Sequence, residues 1–217
     1  TDQKNVLVHP SKWDDPFENF FLKNDAEMSD GTLVSLDQVS RSWFGQCWTR
    51  NKESDAMWRI YSADKTGVRV ETTVRKLFSK FYDSSDELAS LRYLIGSVDY
   101  LSREEIENFL CRETFADLSF GGQPHKFART LLMKRPEFAH ENEIRLLFQD
   151  TDGSIGSNGV AVFHLDWKNI LSEVALDPRL SASEFQVEKQ KLITSGCTIP
   201  ITQSDLYRFT PIKIRFE

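Results

Sequence analysis

The stretch KRPEFAHENEIRLLFQD, residues 134–150, contains the clearest strand signal of the chain. Its apolar residues alternate with polar ones at Ile144, Leu146 and Phe148. A period of two is typical of a half-buried strand. Glu141, Glu143 and Arg145 would then share the opposite face, with successive members roughly 7 Å apart. The pattern predicts a strand with two carboxylates and a guanidinium on one face.

This charged face has two interpretations. Two carboxylates at that spacing repel each other by about 2 kcal/mol in an effective dielectric near 20. Water, Arg145 or a bound cationic ligand must offset this repulsion. The face is therefore either a solvated strand surface with one ion pair or the lining of a chemical site.

Composition limits the class of protein. The chain has 217 residues, 40% hydrophobic and 28% charged, which is typical of a soluble globular protein. Its net charge of −6 argues against broad, non-specific binding to nucleic acid, which needs a basic surface. The three cysteines show no zinc spacing, and no apolar run is long enough for a membrane span, so we expect a cytoplasmic protein. Because the chain begins at Thr1, we expect residues upstream of it.

The order of predicted elements favours the α+β class. Strands and helices are intermixed without a regular parallel βα alternation, and no linker divides the chain. We therefore expect residues 1–217 to form a single α+β domain around a mixed or antiparallel sheet.

An acidic and aromatic box, WDDPFENF, lies at residues 13–20. Pro16 is expected to fix a turn that Trp13 and Phe17 anchor by burial. The alternative is a metal site, for which the box offers Asp14, Asp15 and Glu18. The four histidines show no metal-ligand spacing.

A second box combines a strand with an aromatic helix. Cys47 to Thr49 is predicted as a strand, and Ser54 or Asp55 is expected to cap the helix that follows. Trp58 and Tyr61 are three positions apart, so they are expected to share one helix face. That face either packs in the core or stacks on a planar ring such as nicotinamide.

Three boxes taken in order resemble the bacterial domain of unknown function 2971 family, whose patterns read like fNDPfE, MWxxYa…G and yExEwR. They are Trp13 to Glu18, then Met57-Trp58-x-x-Tyr61 with Gly67, then Glu141-x-Glu143-x-Arg145. Asp14 stands where the family more often has Asn.

The order of the boxes is also similar to that of ADP-ribosyltransferases. This resemblance implies an ADP-ribosyltransferase-like fold with NAD as substrate. Glu143 would be the catalytic carboxylate and Glu141 the first carboxylate of the pair. Thr49, Trp58, Tyr61 and Arg145 would line the NAD site. The basic residue that these enzymes carry on their first strand would lie upstream of Thr1.

The leading hypothesis is an enzyme that cleaves NAD and transfers ADP-ribose to a macromolecular acceptor, either protein or nucleic acid. A bacterial toxin or phage-defence effector with an antitoxin or regulatory partner, and no membrane partner, would fit this chemistry. One alternative is a nuclease that holds Mg²⁺ through Glu141, Glu143 and an Asp of the first box. The other is a non-catalytic binding or regulatory domain.

Overall fold

The computed structural model describes residues 3–13, 15, 18, 25–27, 30–35, 40–112 and 125–215. Its strands are β1 (Lys4–Val8), β2 (Asp25–Glu27), β3 (Leu33–Ser35), β4 (Trp43–Thr49), β5 (Val68–Glu71), β6 (Tyr93–Ser97), β7 (Asp99–Tyr100), β8 (Met133–Lys134), β9 (Glu143–Gln149), β10 (Gly156–Ser157), β11 (Val160–His164), β12 (Glu173–Leu176) and β13 (Ile201–Gln203). Its α-helices are α1 (Asp55–Tyr61), α2 (Val74–Phe81), α3 (Ala89–Arg92), α4 (Arg103–Arg112), α5 (His125–Thr130), α6 (Trp167–Ile170) and α7 (Ala182–Thr194). The 3-10 helices among the described residues cover Pro10–Lys12 and Pro136–Glu141.

The chain divides into two compact units. The larger unit contains Gln3–Arg50 and Phe78–Leu165, and the smaller unit contains Thr1–Asp2, Asn51–Leu77 and Asp166–Glu217. The expected single domain stays a prediction. Among the described residues, every helix is too short or too polar to span a bilayer.

The larger unit is built on a six-stranded sheet. Its strand order is β10-β11-β1-β4-β9-β6, and all neighbouring strands are antiparallel. The smaller unit has a three-stranded sheet of order β13-β12-β5, in which β12 pairs parallel with β13 and antiparallel with β5. The predicted α+β class is confirmed, and of the mixed or antiparallel sheet that was expected, the larger unit has the antiparallel form.

Strand β9 is an interior strand of the six-stranded sheet, between β4 and β6. The predicted strand is confirmed, but it is buried on both faces rather than half-buried. On one face, Phe148 packs edge-to-face against Phe163, with ring centroids 4.9 Å apart. On the other face, Leu147 packs in a cluster with Trp43 and Phe127, whose rings are stacked at 5.5 Å.

Glu141 does not lie on this strand, contrary to the prediction. It ends the 3-10 helix that begins after Arg135, where Pro136 occupies the first helical position. Asn142 then adopts a left-handed conformation, with φ of 46°, which redirects the chain into β9. Asn tolerates this conformation better than most residues do. The alternating pattern therefore extends only from Glu143 onward.

The helix predicted within the second box is α1 of the smaller unit. Ser54 caps it, because the Ser54 hydroxyl accepts a hydrogen bond from the Met57 amide. The other end is held by Arg179, whose guanidinium donates to the carbonyls of Trp58 and Ser62. Arg179 in turn pairs with the buried carboxylate of Asp177 just after β12. These contacts attach the end of α1 to the sheet of the smaller unit.

Candidate functional site

Arg145 is the centre of a buried cluster of charges in the larger unit. We call this cluster the charge network, and its members are Glu18, Lys134, Glu141, Glu143 and Arg145. Arg145 is fully buried and donates from Nε and Nη2 to the two oxygens of Glu143, at 2.8 and 3.0 Å. Its Nη1 donates to the Leu131 carbonyl at 2.7 Å. The guanidinium therefore has a partner on each of its nitrogens.

Lys134, at the end of β8, is the second cation of the network. Its ammonium lies 2.6 Å from a Glu18 oxygen, 2.5 Å from a Glu141 oxygen and 3.3 Å from a Glu143 oxygen. The ring of Phe138 lies 4.8 Å from it. The ammonium thus occupies the point on which three carboxylates converge.

Glu18 links the two cations. One of its oxygens pairs with Lys134 and the other pairs with Arg145 at 2.8 Å. The sequence suggested Glu18 only as a metal ligand, together with Asp14 and Asp15, and this suggestion is not supported. Asp15 is buried and pairs with Arg135 at 3.0 Å, while Asp14 lies outside the described residues. The described part of the chain holds no group of three acidic, histidine or cysteine residues suited to a metal ion.

Trp13 anchors the first box to the charge network. Its ring lies 4.2 Å from the Arg145 guanidinium carbon, which is a cation–π contact. Gly45 makes room for this ring, because a Cβ at that position would lie only 2.6 Å from Trp13 Cζ2. The anchoring role predicted for Trp13 is supported, although the side chain is half-buried rather than fully buried. Pro16 and Phe17 lie outside the described residues.

The electrostatics of the network are set by burial and close pairing. Burial alone would raise the pKa of Glu143, but the hydrogen bond and charge of Arg145 outweigh it and hold that pKa below the usual range. Burial dominates at Glu18 and raises its pKa above the usual range. Burial would lower the pKa of Lys134, but hydrogen bonds to Glu141 and Glu18 raise it instead. Lys134 and Arg145 therefore stay charged, and three carboxylates share two cations.

Four of the six predicted site residues come together in the larger unit. Thr49, the last residue of β4, lies directly opposite Glu143, the first residue of β9. The Thr49 hydroxyl donates to the Glu141 carbonyl at 2.5 Å, and Arg145 completes the group. The Tyr100 hydroxyl accepts a hydrogen bond from the Glu143 amide at 2.8 Å.

Trp58 and Tyr61 both lie on α1 in the smaller unit, three positions apart as predicted, but their exposure differs. Trp58 is 6% exposed and its indole N–H donates to Glu53, whereas Tyr61 is 64% exposed. Trp58 thus acts as a core residue of its unit. Gly67 of the same box packs against Ser62, where a Cβ would approach to 2.8 Å.

Two residues of the network, Lys134 and Glu18, were missed as partners of the Glu141–Glu143 pair. Lys134 lies in the same sequence stretch, but it reaches Glu143 only because the 3-10 helix folds the chain back between them. The one available signal was chemical. A strand buried on both faces cannot carry paired carboxylates without nearby cations.

No curated protein and no solved structure matches this chain. Residues 57–146, less than half of the chain, match the family described as Protein of unknown function (DUF2971), which confirms the predicted resemblance over the second and third boxes.

Proposed function

We propose that this protein is a non-catalytic binding module in which the charge network stabilises the larger unit. The observation that carries the proposal is the state of Glu143. This side chain is 4% exposed, and both of its oxygens accept hydrogen bonds from Arg145. A carboxylate that stabilises positive charge on a ribose must instead reach the 2′-hydroxyl of the sugar.

Releasing Glu143 for chemistry would have a large cost. Arg145 would lose its closest counter-charge in the core, and breaking a buried pair on one side costs about 3–5 kcal/mol. The lowered pKa of Glu143 also keeps it ionised at neutral pH, so it is unsuited to proton transfer. Both facts favour a structural role for the pair.

The smaller unit carries the features of a binding surface. Of the large apolar side chains that are exposed among the described residues, Val6, Leu33, Leu88 and Val162 lie in the larger unit, and the rest lie in the smaller unit. Large exposed apolar patches mark interaction sites, and the smaller unit supplies most of the exposed apolar side chains. We infer that the partner of this module binds there through apolar contacts.

Helix α7 is the best-formed part of that surface. It has 13 residues, none of which is buried, and Val187 is 54% exposed. Cavities of about 510 and 340 Å³ lie beside it, and Val187 lines both. Phe185 and Leu192 are half-buried within the unit, whereas Val187 is left exposed and is suited to pack against a partner protein.

Substitutions on α7 test the proposal. Val187→Glu should abolish co-purification of a protein partner from cells that naturally contain this chain. Gln186→Glu is the matched control. It adds the same charge to α7, but Gln186 is exposed and lines neither cavity. Equal loss or equal retention of the partner in both variants would overturn the assignment of this surface. NAD turnover by the wild type that disappears in Glu143→Gln would overturn the non-catalytic role.

The NAD-using transferase is the second candidate, and one observation favours it. Glu143 begins β9 directly opposite Thr49, and the resemblance to ADP-ribosyltransferases assigns both residues to the NAD site. The Tyr100 hydroxyl also contacts Glu143, through its amide. The network also holds one carboxylate more than it has cations, so a further positive charge on a bound ribose would be favourable there. In this case NAD is the substrate and a macromolecule is the acceptor.

A further inference from the structure

The C-terminal segment, defined here as residues 208–215, has the pattern of a strand but pairs with none among the described residues. Ile212 and Ile214 alternate with Lys213 and Arg215, which is the period of a strand with one apolar and one basic face. Ile212 is 77% exposed and Phe209 is 81% exposed, more than any other large apolar side chains among the described residues. The segment therefore lacks the partner that its sequence pattern suits.

Among the described residues, β5 of the smaller unit pairs with no strand on the side away from β12. It lies at the end of the sheet order β13-β12-β5. The Val174 amide on β12 donates to the Pro200 carbonyl, and the Leu176 carbonyl accepts from the Ser204 amide. The backbone N–H and C=O groups of Val174 and Leu176 therefore point toward β13. Because these groups alternate sides along a strand, the backbone N–H and C=O groups of Glu173 and Ala175 point toward β5.

The register of the pair identifies which groups of β5 are left at the edge. Glu173 lies opposite Glu71, and Ala175 lies opposite Arg69. The backbone groups of Glu71 and Arg69 are therefore directed at β12, and those of Val68 and Val70 are directed outward. Unpaired N–H and C=O groups on an edge strand are a template for a further strand.

Both faces of this edge match the C-terminal segment. Val68 and Val70 lie on the same face as the buried Val174 and Leu176, so Ile212 and Ile214 would extend an apolar surface. The other face carries the charged residues Arg69, Glu71 and Glu173. Arg69 forms ion pairs with Glu71 at 3.4 Å and with Glu173 at 3.1 Å. The two carboxylates of that face pair with one guanidinium, and the charge of Lys52 also acts on Glu173. Lys213 and Arg215 would bring further positive charge beside these carboxylates.

We propose that the C-terminal segment of one chain adds as a strand to the β5 edge of a second copy, and that the second copy returns the same contact. Each chain carries both the strand and the edge, which is the requirement for a closed two-fold dimer. Net charge favours the exchange. Residues 208–215 contribute three positive charges and no negative one, so the rest of a chain with net charge −6 carries −9. The inference uses residues other than those of the α7 surface and goes beyond the proposed function.

Molar mass in solution tests the proposal first. The chain has a mass of 25.1 kDa, and light scattering during size-exclusion chromatography should give twice that value at micromolar concentration. The variant Ile212→Asp with Ile214→Asp should be a monomer, and it should fold because both side chains are exposed. Leu33→Asp with Leu88→Asp is the matched control, since these exposed apolar residues lie in the larger unit, and it should remain a dimer. A monomeric wild type at all concentrations would overturn the proposal.

Amide hydrogen exchange tests the site. The exchange rate of the Val68 and Val70 amides should be lower in the wild type than in the Ile212→Asp/Ile214→Asp variant, by a factor of about ten or more. Protection of Ile201–Gln203 instead would assign the segment to the opposite edge of the sheet and contradict the proposal. Protection of Val68 and Val70 in a monomer would show that the segment pairs within its own chain, which also contradicts the second copy.

Discussion

Arg145 holds both carboxylate oxygens of Glu143, two positions away on the same face of β9, at 2.8 and 3.0 Å. The pair lies in the core, where Arg145 is fully buried. The solvated strand face considered from the sequence is therefore wrong, because the pair is shielded from water. The Coulomb repulsion between Glu143 and Glu141 is offset by Lys134, which contacts both carboxylates.

Replacement of Lys134 by Met should destabilise the protein at neutral pH by about 3–5 kcal/mol, because three carboxylates would lose a shared counter-charge in the core. The charge of Lys134 lowers the pKa of Glu18 and Glu143, so its loss would raise the pKa of both in the folded state. The variant should consequently regain stability as the pH falls. Urea unfolding at several pH values measures both effects, and Lys80→Met, at an exposed site, should stay within about 0.5 kcal/mol of the wild type. A stable Lys134→Met protein at neutral pH would show that the carboxylates do not need the ammonium.

Gly45→Ala should cost about 1–3 kcal/mol of stability, since the added methyl group would push against the Trp13 ring. Trp13→Ala should itself be destabilising, because it removes the aromatic face that lies on Arg145. If the clash is the cause, the cost of Gly45→Ala should largely disappear in the Trp13→Ala background. Unfolding free energies of the two single variants and the double variant decide this, and simple additivity would contradict the contact.

Two carboxylates of the network should give opposite pH dependence on the acid side. Glu143 has a lowered pKa, so its stabilisation is present above the ordinary value of 4.5 and is lost as the pH falls through its folded pKa. Glu18 has a raised pKa, so the folded state binds its proton first, and stability is gained as the pH falls from that raised pKa to 4.5. Glu18→Gln should remove this gain, which denaturant unfolding between neutral pH and pH 4.5 would detect. An identical slope in the variant and the wild type would show that Glu18 is not responsible.

Saturating NAD should leave tryptophan fluorescence and the unfolding free energy unchanged if the non-catalytic role is correct. Trp58 is buried and bonded to Glu53, so it offers no open ring for nicotinamide. A genuine NAD site would add about 2.7 kcal/mol of stability at a hundred times Kd. A stabilisation of that size that is lost in Glu143→Gln would favour the transferase instead.

The sequence pattern was sufficient for β9, since alternation of Ile144, Leu146 and Phe148 depends only on the local period. The pattern failed at Glu141, which belongs to a 3-10 helix that begins at Pro136 and ends at the left-handed Asn142. The alternation of charged residues continues through Glu141 in the sequence, so it gives no sign that the strand begins only at Glu143. The pairing of Glu18 with Arg145 spans 127 residues and has no local signal. Long-range pairing of this kind is fixed by packing.

Burial of the network could not be predicted for a related reason. Charged residues are usually exposed unless they are paired, and the partners of Glu143 are brought to it by separate elements. Trp58 shows the converse. Its aromatic spacing with Tyr61 suggested a common surface, but the core of the smaller unit takes only Trp58.

The free energy of unfolding of Glu143→Gln, measured against the wild type by urea denaturation at neutral pH, tests the structural role of the charge network most directly. Gln keeps the shape of the side chain but removes the charge that faces Arg145 in the core. We expect a loss of about 3–5 kcal/mol, as for a buried pair broken on one side. An exposed pair would cost only about 0–1 kcal/mol. Unchanged or increased stability in this variant would contradict the structural role and return Glu143 to consideration as a catalytic residue.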